Sequence, residues 1–430
     1  MMRKRVLRMY LGVLLAPAVS ESQERTSVSL EELVRASLAR NREVQALHQR
    51  VAHAQGLSRQ AAVRPAPTIE GEGTSSRPLG SAGEEEFAAA FKQPFETFGK
   101  RTSRVKVAEL SVALAEAEVD GRSTQLAYEI ETGYLSMVYE RERMAVLDRV
   151  LESLRDSHRL TEARVREGDA APLEAQLLAV ELSRAEAERA DATGRLAAAE
   201  LELRRLAGLT PRDTLPAIGP PTGDKPSLSL AQLLARALEK RADLRAARLL
   251  EEQGNAEITL AKAQARPDVT LLARYAHRNT RLQGQYGLTS AGAVTPLREQ
   301  YNTLSLGVSL PLTTQRHSQG SIEAAAASAA GARLHREHLQ STIPIEVETA
   351  YQRWTAAIRM RDLLRDGVVE QSNKNLGVVR QAYQLGQLRL LDVLNEQRRL
   401  TDNELTFLVA RTQEARAFAD LERVTGGLLP

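Results

Sequence analysis

The chain has 430 residues and a mass of 47.2 kDa, with 58 Lys+Arg against 55 Asp+Glu and no cysteine. That excludes disulfides, thiolate metal sites, Cys nucleophiles and a lipid on an N-terminal Cys, and a net charge of +3 leaves no basic footprint for nucleic acid despite a pI near 9.1. About half of the residues are Ala, Leu, Glu, Lys or Arg and only 4% are aromatic, the composition of long helices with a thin apolar stripe.

Residues 1–22 read as a secretory signal peptide. Four basic residues fall within Met1–Arg8; the uncharged run Met9–Val19 follows, and then small residues up to Ser20 and Ser22. An ordinary amphipathic helix is the other reading of the same stretch. The run is too short to span a bilayer as a helix, which takes about 20 residues, and no other stretch in the chain matches it in length.

Beyond it the chain repeats itself. Ser29-Leu30-Glu31-Glu32-Leu33 recurs as Ser229-Leu230-Ala231-Gln232-Leu233, each a capping-box start. Arg64-Pro65 recurs as Arg266-Pro267, Gln93-Pro94-Phe95 as Leu310-Pro311-Leu312, and Gly168 with Leu173-Glu174 as Gly386 with Leu391-Asp392. The order of landmarks predicts two repeats, 29–209 and 229–425, joined by a Pro/Gly-rich linker at 210–228. Each repeat reads as helix, strand, loop, strand, long helix, turn, helix. Strands are expected at about 66–74, 86–95, 267–277 and 302–312, and long helical hairpins at about 98–206 and 315–424. A proline-free run from Phe98 to Glu167 would reach roughly 100 Å as one helix, and Pro344 is expected to kink its counterpart. Hairpins so long have no compact core of their own and must pack laterally.

The strands alternate. Leu304, Leu306, Val308, Leu310 and Leu312 share one face with Ser305, Gly307 and Ser309 on the other; Phe87, Ala89 and Phe91 alternate likewise, as do Val269, Leu271, Ala273 and Tyr275. About ten residues of this pattern suit an outer-membrane barrel strand; a soluble four-stranded sheet is the alternative. Four strands cannot close a barrel, and a bilayer tolerates no open edge. Several chains must then share one barrel, and three would supply about twelve strands.

At these residues the sequence resembles the TolC-type outer-membrane efflux proteins over essentially its whole mature length. The duplicated unit carries the resemblance, with Ala382-Tyr383-Gln384-Leu385-Gly386 and Leu391 through Arg398 matching the second hairpin turn, and Arg164–Gln176 matching its first-repeat partner more loosely. The segment Gln93 through Arg101 is similar to the strand-to-helix junction of the CzcC-like heavy-metal branch. The resemblance implies a mostly α fold with a small membrane β-barrel portion: a homotrimer with a 12-stranded barrel in outer-membrane lipid and a helical tunnel across the periplasm. It also implies a periplasmic membrane-fusion adaptor and an inner-membrane pump of the resistance-nodulation-division type as partners, and a passive duct that does no chemistry and holds no cofactor. By resemblance, Asp392 and Asn395, with Glu174 as the first-repeat equivalent, ring the periplasmic aperture. The tips Gly168 and Asp169, and Gly386, Leu388, Arg389 and Leu390, face the adaptor. Leu388 and Leu390 are expected to be exposed, as a partner surface would require; capping the hairpin's own core is the other reading. Asp392 and Glu174 also suit the first turn of a helix on dipole grounds alone.

Enzymatic readings lack residues, since no Walker loop, GxSxG elbow or HExxH helix occurs. His335 and His338 share a helix face but have only Glu337 beside them, so no metal site is expected; His48 and His53 share none. A type I secretion duct on the same fold, and a soluble periplasmic coiled-coil scaffold or adaptor, remain the competing functions.

Overall fold

The computed structural model describes residues 29–79, 84–215, 229–311 and 315–429. The expected signal peptide, most of the expected linker and Leu312 at the end of the expected fourth strand lie outside them. In the first half, α1 (Leu30–Arg40) and α2 (Arg42–Ala61) lead into β1 (Thr68–Ser75) and β2 (Glu84–Phe95), then α3 (Lys100–Glu167) and α4 (Pro172–Leu206). The second half repeats the order with α5 (Leu230–Lys240), α6 (Ala242–Gln264), β3 (Val269–Leu288) and β4 (Val294–Ser309). A long helix follows as α7 (Gln315–Asp362), a π-helical segment (Leu363–Val369) and α8 (Glu370–Gln384), and α9 (Leu390–Val424) returns beside it.

The helix starts follow from local chemistry. Ser29 Oγ accepts from the Glu32 N–H while Glu32 accepts from the Ser29 N–H, and Ser229 with Gln232 does the same. α1 breaks from α2 at Asn41 (ψ 122°), and α5 from α6 at Arg241 (ψ 124°). Four helices end on glycines in the left-handed region, Gly168, Gly208, Gly386 and Gly426. At each, the glycine N–H bonds three residues back and the next N–H five residues back, as in Asp169 N–H to the Arg164 carbonyl at 2.8 Å and Gln387 N–H to that of Ala382 at 2.9 Å. These are Schellman closures. α7 runs on through Pro344; the departure from α geometry comes later, at Leu363–Val369.

Burial is divided among small stations. Leu33, Val44, Ile130, Tyr134, Leu203 and Leu206 join α1, α2, α3 and α4. Leu233, Leu244, Ile343, Val347, Leu421 and Val424 join α5, α6, α7 and α9 in the equivalent place. A third group, Leu151, Leu154, Leu178, Leu390 and Leu394, sits near the hairpin tips. Ion pairs tie the rods between stations: Arg122 bonds Glu43 at 2.8 Å and Glu129 at 3.1 Å, and Arg241 grips Asp243 and Glu346.

At the sheet end the chain turns from strand to helix at Phe98 (φ 54°) and Gly99 (φ 74°). Basic side chains build this elbow. Arg101 and Arg104 donate to the carbonyls of Ala62 and Ala61, finishing α2, and Arg104 forks onto Glu96. Lys100 Nζ meets Asp268 at 2.9 Å, and Arg266 stacks over Phe98 at 4.8 Å, so the elbow of one half rests on the segment just before the first strand of the other.

The four strands form one antiparallel sheet in the order β1-β2-β3-β4. β3 and β4 are longer than expected: they run to Leu288 and begin at Val294, where alternation predicts strands only over 267–277 and 302–312. The register shift between Arg281 and Tyr286, with Gly284 at φ 75°, breaks the alternation there and hides the extension from pattern reading. Among the described residues no helix is long and apolar enough to cross a membrane.

The closures differ in how much room they leave. Gly208 and Gly426 occupy equivalent places, but a Cβ at Gly208 meets nothing closer than 3.5 Å, whereas one at Gly426 would sit 2.9 Å from the Lys240 carbonyl carbon. Gly208→Ala should cost about 1 kcal/mol of left-handed strain and Gly426→Ala roughly 3 kcal/mol once overpacking is added, read as the drop in thermal midpoint in detergent. Burial would raise the Asp243 pKa, but the Arg241 hydrogen bonds and charge outweigh it and hold the carboxyl below its ordinary 3.8. A depressed carboxylate stabilises above its unfolded pKa and loses that contribution as pH falls through the folded value. Acid unfolding below about pH 4 should therefore be shallower in Asp243→Asn than in the parent.

Candidate channel wall and aperture

Directly opposed residues of an antiparallel ladder point to the same face, so the register sorts the sheet into two. One face carries Ile69, Phe91, Ala273 and Leu306 on a single rung, then Gly71, Ala89, Tyr275 and Leu304, with Phe87, Phe95, Leu271 and Val308 around them. These large apolar groups are solvent-exposed: Leu306 is 80% exposed, Ile69 81% and Leu304 74%. Among the described residues no helix covers them. An uncovered apolar band of this size is a lipid surface or an interface.

The opposite face is charged and internally paired. Lys92 Nζ lies 2.6 Å from Glu70; Arg274 reaches Glu72 at 3.3 Å and Glu86 at 3.2 Å; Arg278 faces Glu84 and Glu86 at 3.8 Å and donates to Tyr301 Oη at 3.3 Å. A face of this kind suits an aqueous lumen.

At the far end, the two hairpin tips lie side by side because α3 packs against both α4 and α9. Glu174 is half-buried in the first turn of α4 and accepts from Tyr383 Oη at 3.4 Å. Arg164 donates to the same Tyr383 oxygen at 3.1 Å, stacks on its ring at 5.9 Å, and reaches the Asp169 carbonyl at 3.3 Å. Asp392 and Asn395 are exposed on one face of α9. The Asp392 carboxylate accepts from the Arg389 N–H at 3.0 Å, so it closes the helix start as well as carrying charge. Gly168, Asp169, Gly386 and Arg389 are exposed at the tips, as is Leu388 at 36%. Leu390 is not: it is 6% exposed and belongs to the buried group with Leu178 and Leu394, so the expectation of an exposed Leu390 is corrected. The period of α9 turns it inward. The apolar tip surface is made instead by Leu385 (68% exposed), Leu391 and Leu173.

No local pattern predicts the tie between Arg164, Tyr383 and Glu174. Its members stand 209 and 219 positions apart, and only the repeat alignment of the two turns could have paired them. Other stitches nearby are Arg380 to Gln397 at 2.5 Å and Arg398 to Glu181, the latter holding the guanidinium above its ordinary value. Among the described residues no group of three His, Asp or Glu could hold a metal ion, and Glu337 beside His335 and His338 is taken by Arg333 at 2.8 Å.

The family model described as outer membrane efflux protein matches residues 33–209 and 233–427, one span in each half. The chain belongs to the outer membrane efflux protein family. The cobalt-zinc-cadmium resistance protein CzcC of Cupriavidus metallidurans is 23% identical over 338 residues, covering 77% of this chain and 75% of the relative. The solved structure of CusC superposes with a TM-score of 0.73 at 17% identity, covering 94% of this chain and 93% of that one. The outer membrane protein VceC of Vibrio cholerae gives 0.71 at 22% identity, covering 93% and 96%. The fold is therefore the TolC-type channel fold, mostly α with a minor sheet, and the family and fold are those of channels.

Tyr383→Phe keeps the ring in the tip cluster and removes both of its hydrogen bonds. Amide exchange around 168–174 and 383–392 should rise by about fivefold, at roughly 0.5 kcal/mol for each of the two long bonds, while exchange in α1, α2 and α5 stays unchanged; mass-spectrometric hydrogen exchange measures both.

Proposed function

We propose that this protein is the outer-membrane exit duct of a tripartite efflux system, passive and without chemistry of its own. One observation supports this most directly. At three levels the chain is a curtain one element thick, and at each level repeat one supplies one free edge and repeat two the other. The strands run β1-β2-β3-β4; α2, α3, α6 and α7 follow below in that contact order; at the tips the order is α4, α3, α9, α8. A head-to-tail surface of this kind closes into a ring. Three copies joined β4 to β1 give twelve strands, with the apolar band in outer-membrane lipid and the Glu/Arg face around the lumen.

On this reading residues 1–22 are the export signal, 29–209 and 229–425 the two structural repeats, and 210–228 their linker. The helices extend into the periplasm. Asp392, Asn395 and Glu174 surround the periplasmic aperture, where three copies of a carboxylate would attract cations. Gly168, Asp169, Gly386, Leu388 and Arg389 with Leu385 face a periplasmic adaptor, which docks the duct to an inner-membrane pump of the resistance-nodulation-division type. Divalent metal cations are the proposed cargo, on the likeness to a cobalt-zinc-cadmium resistance protein.

Membrane fractionation tests the channel, and graded plates test the cargo. A heat-stable trimer band should appear in the detergent-extracted outer-membrane fraction, and recovery as a soluble monomer would sink the duct. A deletion strain should lose growth on zinc, cobalt or cadmium while keeping it on drugs; loss on drug plates alone would reassign the cargo and leave the duct standing.

A further inference from the structure

The apolar face of the sheet does not end in a neutral rim. Outward from Phe87, His277 and Asn302, the same face carries Asn279 opposite Gln300, and then Arg281 directly opposite Arg298. The register is unbroken from Thr270 to Arg281, so the two arginines point the same way as Leu271 and Tyr275. Opposed side chains on such a rung stand about 4.5–5.5 Å apart at Cβ, and like charges there repel.

Both arginines are exposed, and among the described residues neither side chain forms an ion pair or hydrogen bond. The outward carboxylate two positions closer to the band, Glu85 opposite Asn279, has an interaction of its own. The contrast with the other face is the informative part. There Lys92, Arg274 and Arg278 each meet a glutamate of the same sheet. The chain thus neutralises its lumen-facing cations and leaves an outward pair unneutralised.

We infer that Arg281 and Arg298 form a site for the phosphorylated saccharide headgroup of an outer-leaflet glycolipid. Height selects this partner over an ordinary phospholipid. Four residues separate His277 from Arg281, about 13 Å of strand and roughly 10 Å of height at a barrel tilt near 40°. A phospholipid headgroup layer is only about 6 Å deep. An anion at the height of the arginines belongs to a headgroup that stands above the bilayer surface. His277, whose Nδ1 lies 2.7 Å from Asn302 Oδ1, and Asn279 and Gln300 supply hydrogen-bonding groups below it, suited to sugar hydroxyls. The site rests on the reading of the sheet as part of an outer-membrane barrel.

The test uses the full-length trimer, stripped of lipid by detergent exchange. It is titrated with rough lipopolysaccharide carrying inner-core phosphates, the same material after dephosphorylation, phosphatidylglycerol, and inorganic phosphate, with binding read by native mass spectrometry. Rough lipopolysaccharide should bind the double variant Arg281→Gln/Arg298→Gln about thirtyfold more weakly than the parent. Dephosphorylation should weaken binding to the parent similarly, and phosphatidylglycerol and phosphate should not distinguish parent from variant. Binding to the variant within twofold of the parent overturns the site, and so does an arginine-dependent preference for phosphatidylglycerol or free phosphate. If the double variant fails to assemble, Arg298→Gln alone should still show about a fivefold loss, and no loss overturns the site. A trimer that conducts in bilayers yet shows no lipid preference removes this inference alone, whereas absence of a membrane trimer removes the channel reading beneath it.

Discussion

The outer edges of β1 and β4, which no other strand of the described residues covers, are the constraint on which the rest of this molecule depends. The sheet has two free edges and an uncovered apolar face, and in hydrocarbon each unsatisfied N–H or C=O would cost several kcal/mol. In the proposed trimer a strand of the next copy meets that need. The helices below inherit the same geometry, since α2 and α4 are left free on the first-repeat side and α7 and α8 on the second. Among the described residues the buried apolar groups form three small stations and not one central core.

Duplication explains how one chain meets that constraint twice. The breaks at Asn41 and Arg241 and the closures at Gly208 and Gly426 recur in register, with Gly208 resting against Arg40 and Asn41 and Gly426 against Lys240 and Arg241. The copies are not equal, however. α3 is one uninterrupted helix of 68 residues, whereas its counterpart passes through a π-helical segment between α7 and α8. The elbow at Phe98 and Gly99 leans on Asp268 of the other half, which ties the repeats there through the Lys100 ion pair and the Thr97 N–H.

Much of this was legible in the sequence, because short-range chemistry leaves short-range marks. The capping boxes at Ser29 and Ser229, the turn glycines and the alternation from Leu304 to Val308 each act within a few residues. What escaped was long-range or irregular. The strand expected at 66–74 did not escape, although Thr68–Ser75 is Gly- and Glu-rich with little pattern of its own; its pairing with β2 makes it one. The outer parts of β3 and β4 lie beyond a bulge that scrambles the period of two. Leu390 follows an apolar turn and looks exposed until α9 is wound, when its face turns toward Leu178. The contact between Tyr383 and Glu174 joins residues of different repeats, and no local pattern encodes it. Charge placement was the least visible of all, since a near-zero net charge conceals a paired face and an unpaired rim on the same sheet.

The glycine closures at the ends of the long rods have a mechanical meaning. Each helix end turns its last carbonyls back onto its own backbone, so it borrows no donor from the rod beside it. Sliding or splaying two rods at the tips strands no peptide group in either position. The resistance to such movement is set by a few replaceable side-chain contacts, and selection can tune the stiffness of the tip one residue at a time without altering the rods themselves.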